Sequence, residues 1–228
     1  MHQPVILHIE TSTEVCSVAL SHGEHCHAVR EISEGRNHAA LLTVFAYELL
    51  KSSGISADRL DAVAVSSGPG SYTGLRIGLS TAKGLCYGAN IPLISVSTLQ
   101  SMSIGFVSQN DVPDNALLCP MIDARRMEVY TALYDKNGRQ QEKISAEIIT
   151  EQSFARWLKN SRIFFFGNGS IKCRSVIMHD NAIFQENFNH SARYMILPAL
   201  QAFNNKQFED AAYFEPLYLK DFIPCKPS

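Results

Sequence analysis

"GPGSYTGLRIG", residues 68–78, decides how this chain is read. It holds four glycines, a proline and three hydroxyl side chains: Ser71, Tyr72 and Thr73. A stretch of this kind either cradles a phosphate or lets two backbones come very close. The spacing argues against the cradle. A P-loop needs Gly, four residues, then Gly-Lys, and the first lysine after Gly68 is Lys83. The dinucleotide pattern GxGxxG needs a third glycine at position 73, where Thr73 stands. The apolar run before the stretch, residues 60–67, reads as a buried strand, and residues 75–89 after it read as a helix capped by Ser71 or Thr73. On that helix Gly74, Gly78 and Ala82 recur every four residues and form a stripe of small side chains. Glycine inside a helix costs about 0.5–1 kcal/mol relative to alanine. Something must therefore approach that face closely, either a neighbouring helix of this chain or a partner protein.

Outward from this stretch the chain alternates strand and helix. Before it, "VILHIE" (5–10), "VCSVALS" (15–21) and "HCHAVREI" (25–32) read as a three-strand meander. A helix follows, with its apolar stripe on Leu41, Leu42, Phe45, Ala46, Leu49 and Leu50, Asn37 as N-cap and Gly54 as its C-terminal stop. After it come "IPLISV" and a helix reaching towards Val107. The polar stretch "SQNDVPDN" (108–115) marks a domain boundary, giving units 1–108 and 109–228, with the last segment free to pack back on the first unit. Beyond it "ALLCPMID", "MEVYTALYD" and "QEKISAEII" form a second meander. A helix (153–160), the strand "RIFFFG", a helix after "NGS" and a helix near 195–203 complete the chain. The expected fold class is α/β, a duplicated unit in which each half is a mixed sheet with flanking helices.

The candidate chemistry lies in two acids. "HIETST" ends a strand in Glu10 followed by Thr11, Ser12 and Thr13. Such a hairpin can hold a nucleotide phosphate through a metal, or it can be an ordinary turn with self-satisfied hydroxyls. The matching acid of the second half is Asp123 in "MIDARRMEVY", but Ala124, Arg125 and Arg126 stand where glycines would open the backbone to a phosphate. "FFFGNGS" offers Gly167 and Gly169 as a third turn. His25 and His27 share a face of one strand without a third metal ligand, and Leu41 and Leu42 follow His38, so no helical His pair exists. GxSxG, the nucleophile elbow, does not occur.

The 228-residue chain is 46% hydrophobic and 18% charged, with formal net charge −2. That composition supports a folded core and argues against broad nucleic-acid backbone binding. Six cysteines without a CxxC pair read as free thiols in a reducing compartment. The amino terminus lacks a signal-peptide pattern and no apolar run is long enough for a membrane span, so the expected location is the cytoplasm.

"ILHIETSTEVCSVAL", "GPGSYTGLRIGLSTAKGLCYGANIPLISVSTL", "IDARRMEVYTALYD" and "EPLYLKDF" together resemble the TsaB family, also called YeaZ. The resemblance covers nearly the whole chain and is weakest over 150–210. It implies the actin-like (ribonuclease H-like) duplicated two-domain fold. It also implies a role in making N6-threonylcarbamoyladenosine (t6A37) in ANN-reading tRNAs. In that setting the chain is a non-catalytic scaffold or activator that pairs with a catalytic TsaD-like subunit, joined by a TsaE-like ATPase, and it forms a homodimer when alone. tRNA contacts it only indirectly or weakly. The implied partner surface comprises His38, Leu41, Leu42, Phe45 and Leu49 on one helix. On the other it comprises Gly70, Ser71, Tyr72, Thr73, Gly74, Arg76, Ile77, Gly78, Thr81 and Ala82. No catalytic residue, metal or resident cofactor is expected, with at most weak ATP or ADP affinity at Glu10, Thr11, Ser12 and Asp123. The rival expectations are an autonomous nucleotide-dependent enzyme using Glu10 and Asp123, and a glycoprotease-type peptidase.

Overall fold

The computed structural model describes residues 3–33 and 38–220; the expected N-cap Asn37 and Cys225 lie outside them. The first sheet is built from β1 (Val5–Glu10), β2 (Cys16–His22), β3 (His25–Ile32), β4 (Ala62–Ser66) and β5 (Leu93–Val96), in the order β3-β2-β1-β4-β5. The second is built from β6 (Leu117–Asp123), β7 (Glu128–Tyr134), β8 (Gln140–Ile148), β9 (Ile163–Phe166) and β10 (Ala182–Phe184), in the order β10-β9-β6-β7-β8. The two orders are the same once β6 is set on β1. Each half runs an antiparallel meander and then adds parallel strands by crossover. This is the duplicated actin-like α/β fold that the family resemblance implies.

Period-two alternation explains how the first sheet is covered on both faces. Leu7, Ile9, Val63 and Val65 point to one side, where α1 (His38–Ser52) and α2 (Tyr72–Ala89) lie. Ile6, Ala62, Ala64 and Ile94 point to the other. That face is covered by a short 3-10 turn (Ala192–Met195) and α5 (Ile196–Asn204), both from the far end of the chain. The alanines leave room for Met195 and Ala199 to sit close to the sheet. The reverse exchange also occurs. α3 (Thr98–Gln109) follows the first sheet in sequence but packs Leu99, Met102 and Phe106 on the second, where the Phe106 and Phe166 rings stack at 4.1 Å. Each half therefore roofs the other.

Two local expectations change, and one short strand had no counterpart in the sequence reading. The helix expected over 153–160 is a single turn, α4 (Ala155–Leu158). The helix expected after "NGS" is a 3-10 turn, Ile171–Cys173, because Gly167 and Gly169 are packed against the β6 backbone and the chain turns off at once. Strand β10 has only three residues and leaves no readable alternation. No described helix is long and apolar enough to cross a membrane.

Candidate functional site

The β1–β2 turn lies against the start of α2, and the contact answers the question posed by the glycines. Thr11 Oγ1 donates to the Gly74 carbonyl at 2.7 Å, and the Ser71 amide donates to the Ser12 carbonyl at 2.7 Å. Ser71 caps α2 by accepting from the Gly74 amide at 3.2 Å. A Cβ on Gly74 would lie 2.0 Å from the Thr11 carbonyl oxygen, and one on Gly78 would lie 2.3 Å from Thr11 Oγ1. A Cβ on Gly70 would meet the Ser12 carbonyl at 2.3 Å. The close approach is real, but its partner is this chain's own hairpin. The expected partner positions Gly74, Gly78 and Ala82 are buried within the chain, Gly70 is pressed against Ser12, and Leu42 and Leu49 belong to the hydrophobic core. Hairpin and core occupy that side, so Gly74, Gly78, Ala82, Leu42 and Leu49 present almost no surface outward, while Gly70 is half-buried. Leu41, Phe45, Tyr72, Ile77 and Thr81 are half-buried, and Ser71, Thr73 and Arg76 are exposed; the His38 side chain lies outside the description.

The outer face of the same two helices has a different make-up. Val44 and Tyr47 of α1 and Tyr87 of α2 are exposed to 44%, 63% and 92%. On α2, Gly84 and Gly88 face open space, with nothing within 4 Å of an added Cβ. Two exposed helical glycines cost stability, and no contact among the described residues accounts for them.

Glu10 is fully buried at the end of β1. Its Oε1 accepts from the Ser12 amide at 2.6 Å and from the Ser12 hydroxyl. Its Oε2 faces His190 Nδ1 at 3.3 Å, and His190 Nε2 lies 2.9 Å from Ser101 Oγ. The sequence reading missed both His190 and Ser101; only the pairing of distant segments brings them to Glu10. Burial lowers the His190 pKa, opposed by the charges of Glu10 and then Glu31. Acid, imidazole and hydroxyl stand in the order of a hydrolase triad, yet Ser101 is fully buried and its hydroxyl donates to the Thr98 carbonyl at 2.9 Å. It is a structural link between α3, the returning C-terminal segment and β1.

Beside His190 lies a cleft of about 280 Å³ walled by Val15, Glu31, Ile32, Ser33 and Asn189. Glu31 accepts from Ser17 at 3.1 Å and from Ser191 at 2.5 Å and pairs with Arg193 at 3.3 Å. A carboxylate in that wall disfavours a phosphate. The second expected acid, Asp123, is exposed, accepts from the Arg125 amide at 2.9 Å and pairs with Lys172. Thus Glu10 and Asp123 are both engaged within the chain, and Thr11 and Ser12 are buried in the hairpin contact. Among the described residues no three His, Cys, Asp or Glu side chains converge as metal ligands; exposed His27 stacks on His22 at 5.0 Å.

The β6–β7 connection carries a backbone signal. Arg125 and Arg126 have φ of 72° and 52°. Left-handed backbone costs a non-glycine residue about 1–2 kcal/mol. Both side chains are exposed, and neither has a hydrogen-bond or ion-pair partner among the described residues.

Comparison with known proteins places this geometry among relatives. Residues 31–221 match the family model described as TsaD, tRNA N6-adenosine threonylcarbamoyltransferase. The chain is 30% identical to the Haemophilus influenzae tRNA threonylcarbamoyladenosine biosynthesis protein TsaB, over 99% of this chain and 98% of that one. It is 42% identical to the Escherichia coli protein of the same name over 58% of this chain and 57% of that one. A solved structure described as YeaZ from Pseudomonas aeruginosa superposes with a TM-score of 0.80 at 26% identity, over 95% of this chain and all of that one.

Proposed function

The chain belongs to the TsaB (YeaZ) family of tRNA threonylcarbamoyladenosine biosynthesis proteins, and from that premise we propose that it serves in the cytoplasm as a non-catalytic subunit. In this reading it pairs with a TsaD-like transferase through the outer faces of α1 and α2, admits a TsaE-like ATPase to the complex, and pairs with itself when alone. The observation that carries the reading is the coincidence on α1 and α2 of exposed Val44, Tyr47 and Tyr87 with the open glycines Gly84 and Gly88. Small residues on a helix let a second backbone come close, and flanking aromatics supply apolar area on contact. The sealed Glu10 supports the non-catalytic part, since a fully buried carboxylate bonded to Ser12 does not face a substrate.

The test is co-purification of the full chain with a TsaD-like subunit. Gly84→Arg and Tyr87→Ala alter exposed positions without touching the core. Both variants should fold, and Gly84→Arg should lose the partner. Retention of the partner by folded Gly84→Arg removes this face from the interface. Calorimetry with ATP and Mg²⁺ decides the enzymatic part: turnover by the isolated chain, abolished in Glu10→Ala, contradicts a non-catalytic role.

A further inference from the structure

Lys172 pairs with Asp123 and donates to the Glu128 carbonyl at 2.7 Å. Lys220 pairs with Glu128 and reaches the Ala124 carbonyl at 3.4 Å. The two carboxylates flanking the β6–β7 turn are thus each matched by a lysine. Among the described residues Arg125 and Arg126 have no carboxylate partner at the exposed tip. Both side chains are exposed, and neither has a hydrogen-bond or ion-pair partner among the described residues. A tight turn between antiparallel strands calls for two left-handed residues, and arginine takes both places where glycine or asparagine would be less strained.

The surface beside the tip is aromatic and cationic by turns. Lys220 Nζ lies 6.0 Å from the centre of the Tyr130 ring. Two residues earlier, Tyr218 packs on Tyr72 with ring centres 4.8 Å apart, and the Arg76 guanidinium lies 5.1 Å from the Tyr72 ring. The segment 217–220 is anchored by the Leu217 amide on the Ser67 carbonyl at 2.8 Å and so carries this surface from the first half of the molecule to the second. Guanidinium groups recognise phosphates bidentately, and the half-buried Tyr72, Tyr130 and Tyr218 lie beside them. A free nucleotide phosphate is less well served, because Gly167 and Gly169 are packed against the β6 backbone and offer no open cradle of amides.

We propose that the Arg125–Arg126 turn, with Lys220 and the tyrosines beside it, is a contact site for the phosphodiester backbone of RNA, and that it extends the RNA-binding surface of the complex beyond the catalytic subunit. The proposal rests on the functional reading above for the identity of the RNA, a tRNA. Tyr72 and Arg76 place its near end at the edge of the proposed partner face, so RNA held by a TsaD-like subunit can continue onto this chain.

The experiment measures tRNA binding by the full chain, alone and with a TsaD-like subunit, over a salt series. Pairing is read by sedimentation in the same samples. Arg125→Gly with Arg126→Gly removes both charges and suits the left-handed backbone; Arg125→Lys with Arg126→Lys keeps the charges. The glycine pair should weaken tRNA binding about 10-fold or more and lower the slope of log K against log salt by about 2, one per lost phosphate contact. The lysine pair should keep the slope. Unchanged affinity and slope in the glycine pair, with pairing intact, overturns the proposal. So does loss in that variant of inorganic pyrophosphate or ADP binding with tRNA binding unaltered, which assigns the arginines to a free anion. Loss of the protein partner with tRNA binding unaltered overturns it in favour of an acidic protein surface. Failure of the unmutated chain to pair refutes the functional reading, while its tRNA binding alone still decides the arginines.

Discussion

Gly74 and Gly84 sit on the same helix for opposite reasons. Gly74 is required by this chain, since its Cβ position is already taken by the Thr11 carbonyl. Gly84 is not, since its Cβ position is empty. Gly74→Ala should destabilise by about 2–3 kcal/mol or prevent folding, whereas Gly84→Ala should stabilise the isolated chain by about 0.5–1 kcal/mol. Denaturant midpoints of the two variants check both signs; a destabilised Gly84→Ala refutes the open-face assignment. A second residue-scale prediction concerns acid. His8 is fully buried, touches Ser21 Oγ at 2.8 Å, and has its pKa lowered from 6.5 to about 3 by burial. Above pH 6.5 the ring is neutral in both folded and unfolded chains and contributes no pH dependence. As pH falls from 6.5 towards 3 only the unfolded chain gains the proton, so stability is lost at about 1.4 kcal/mol per unit, about 5 kcal/mol in all. His190 adds loss of the same sign. His8→Gln should flatten stability against pH over this window, as followed by urea unfolding at several pH values.

At the scale of elements, α2 shows which signals are local. Its length, its Ser71 cap and its end at Asn90, with φ of 55°, all follow from residues within one turn. Ser71→Ala should cost about 1 kcal/mol in a thermal or chemical melt; no change means the Ser12 carbonyl, not the hydroxyl, holds the helix start. The long strands and α1, α2 and α3 were legible for the same reason: each contains enough turns or alternations to show a period. β10, α4 and the turn at 171–173 were not, because three or four residues complete no period and their conformation is set by what lies beneath them. The duplication was legible as two meanders, although no residue repeats between halves.

At the scale of the whole molecule, the exchange of roofs makes the halves interdependent. Met195 is fully buried against the outer face of the first sheet although it follows the entire second sheet in sequence. Met195→Ala should cost about 2–5 kcal/mol and should speed hydrogen exchange in β1 and β4 of the first half. Faster exchange confined to the second half contradicts the cross-packing.

The sequence by itself determined the order of elements, the duplicated fold, and the failure of the glycine stretch to count as a phosphate motif. These depend on spacing along one chain. Only the tertiary structure decided which side of α2 the glycines serve, and that Glu10 is closed off by His190. A stripe of small residues records that something comes close but not what, and the answer, Thr11, lies 63 residues from Gly74. The acid of "HIETST" reads as available until the chain returns to cover it, because burial is settled by contacts between distant segments rather than by any local pattern.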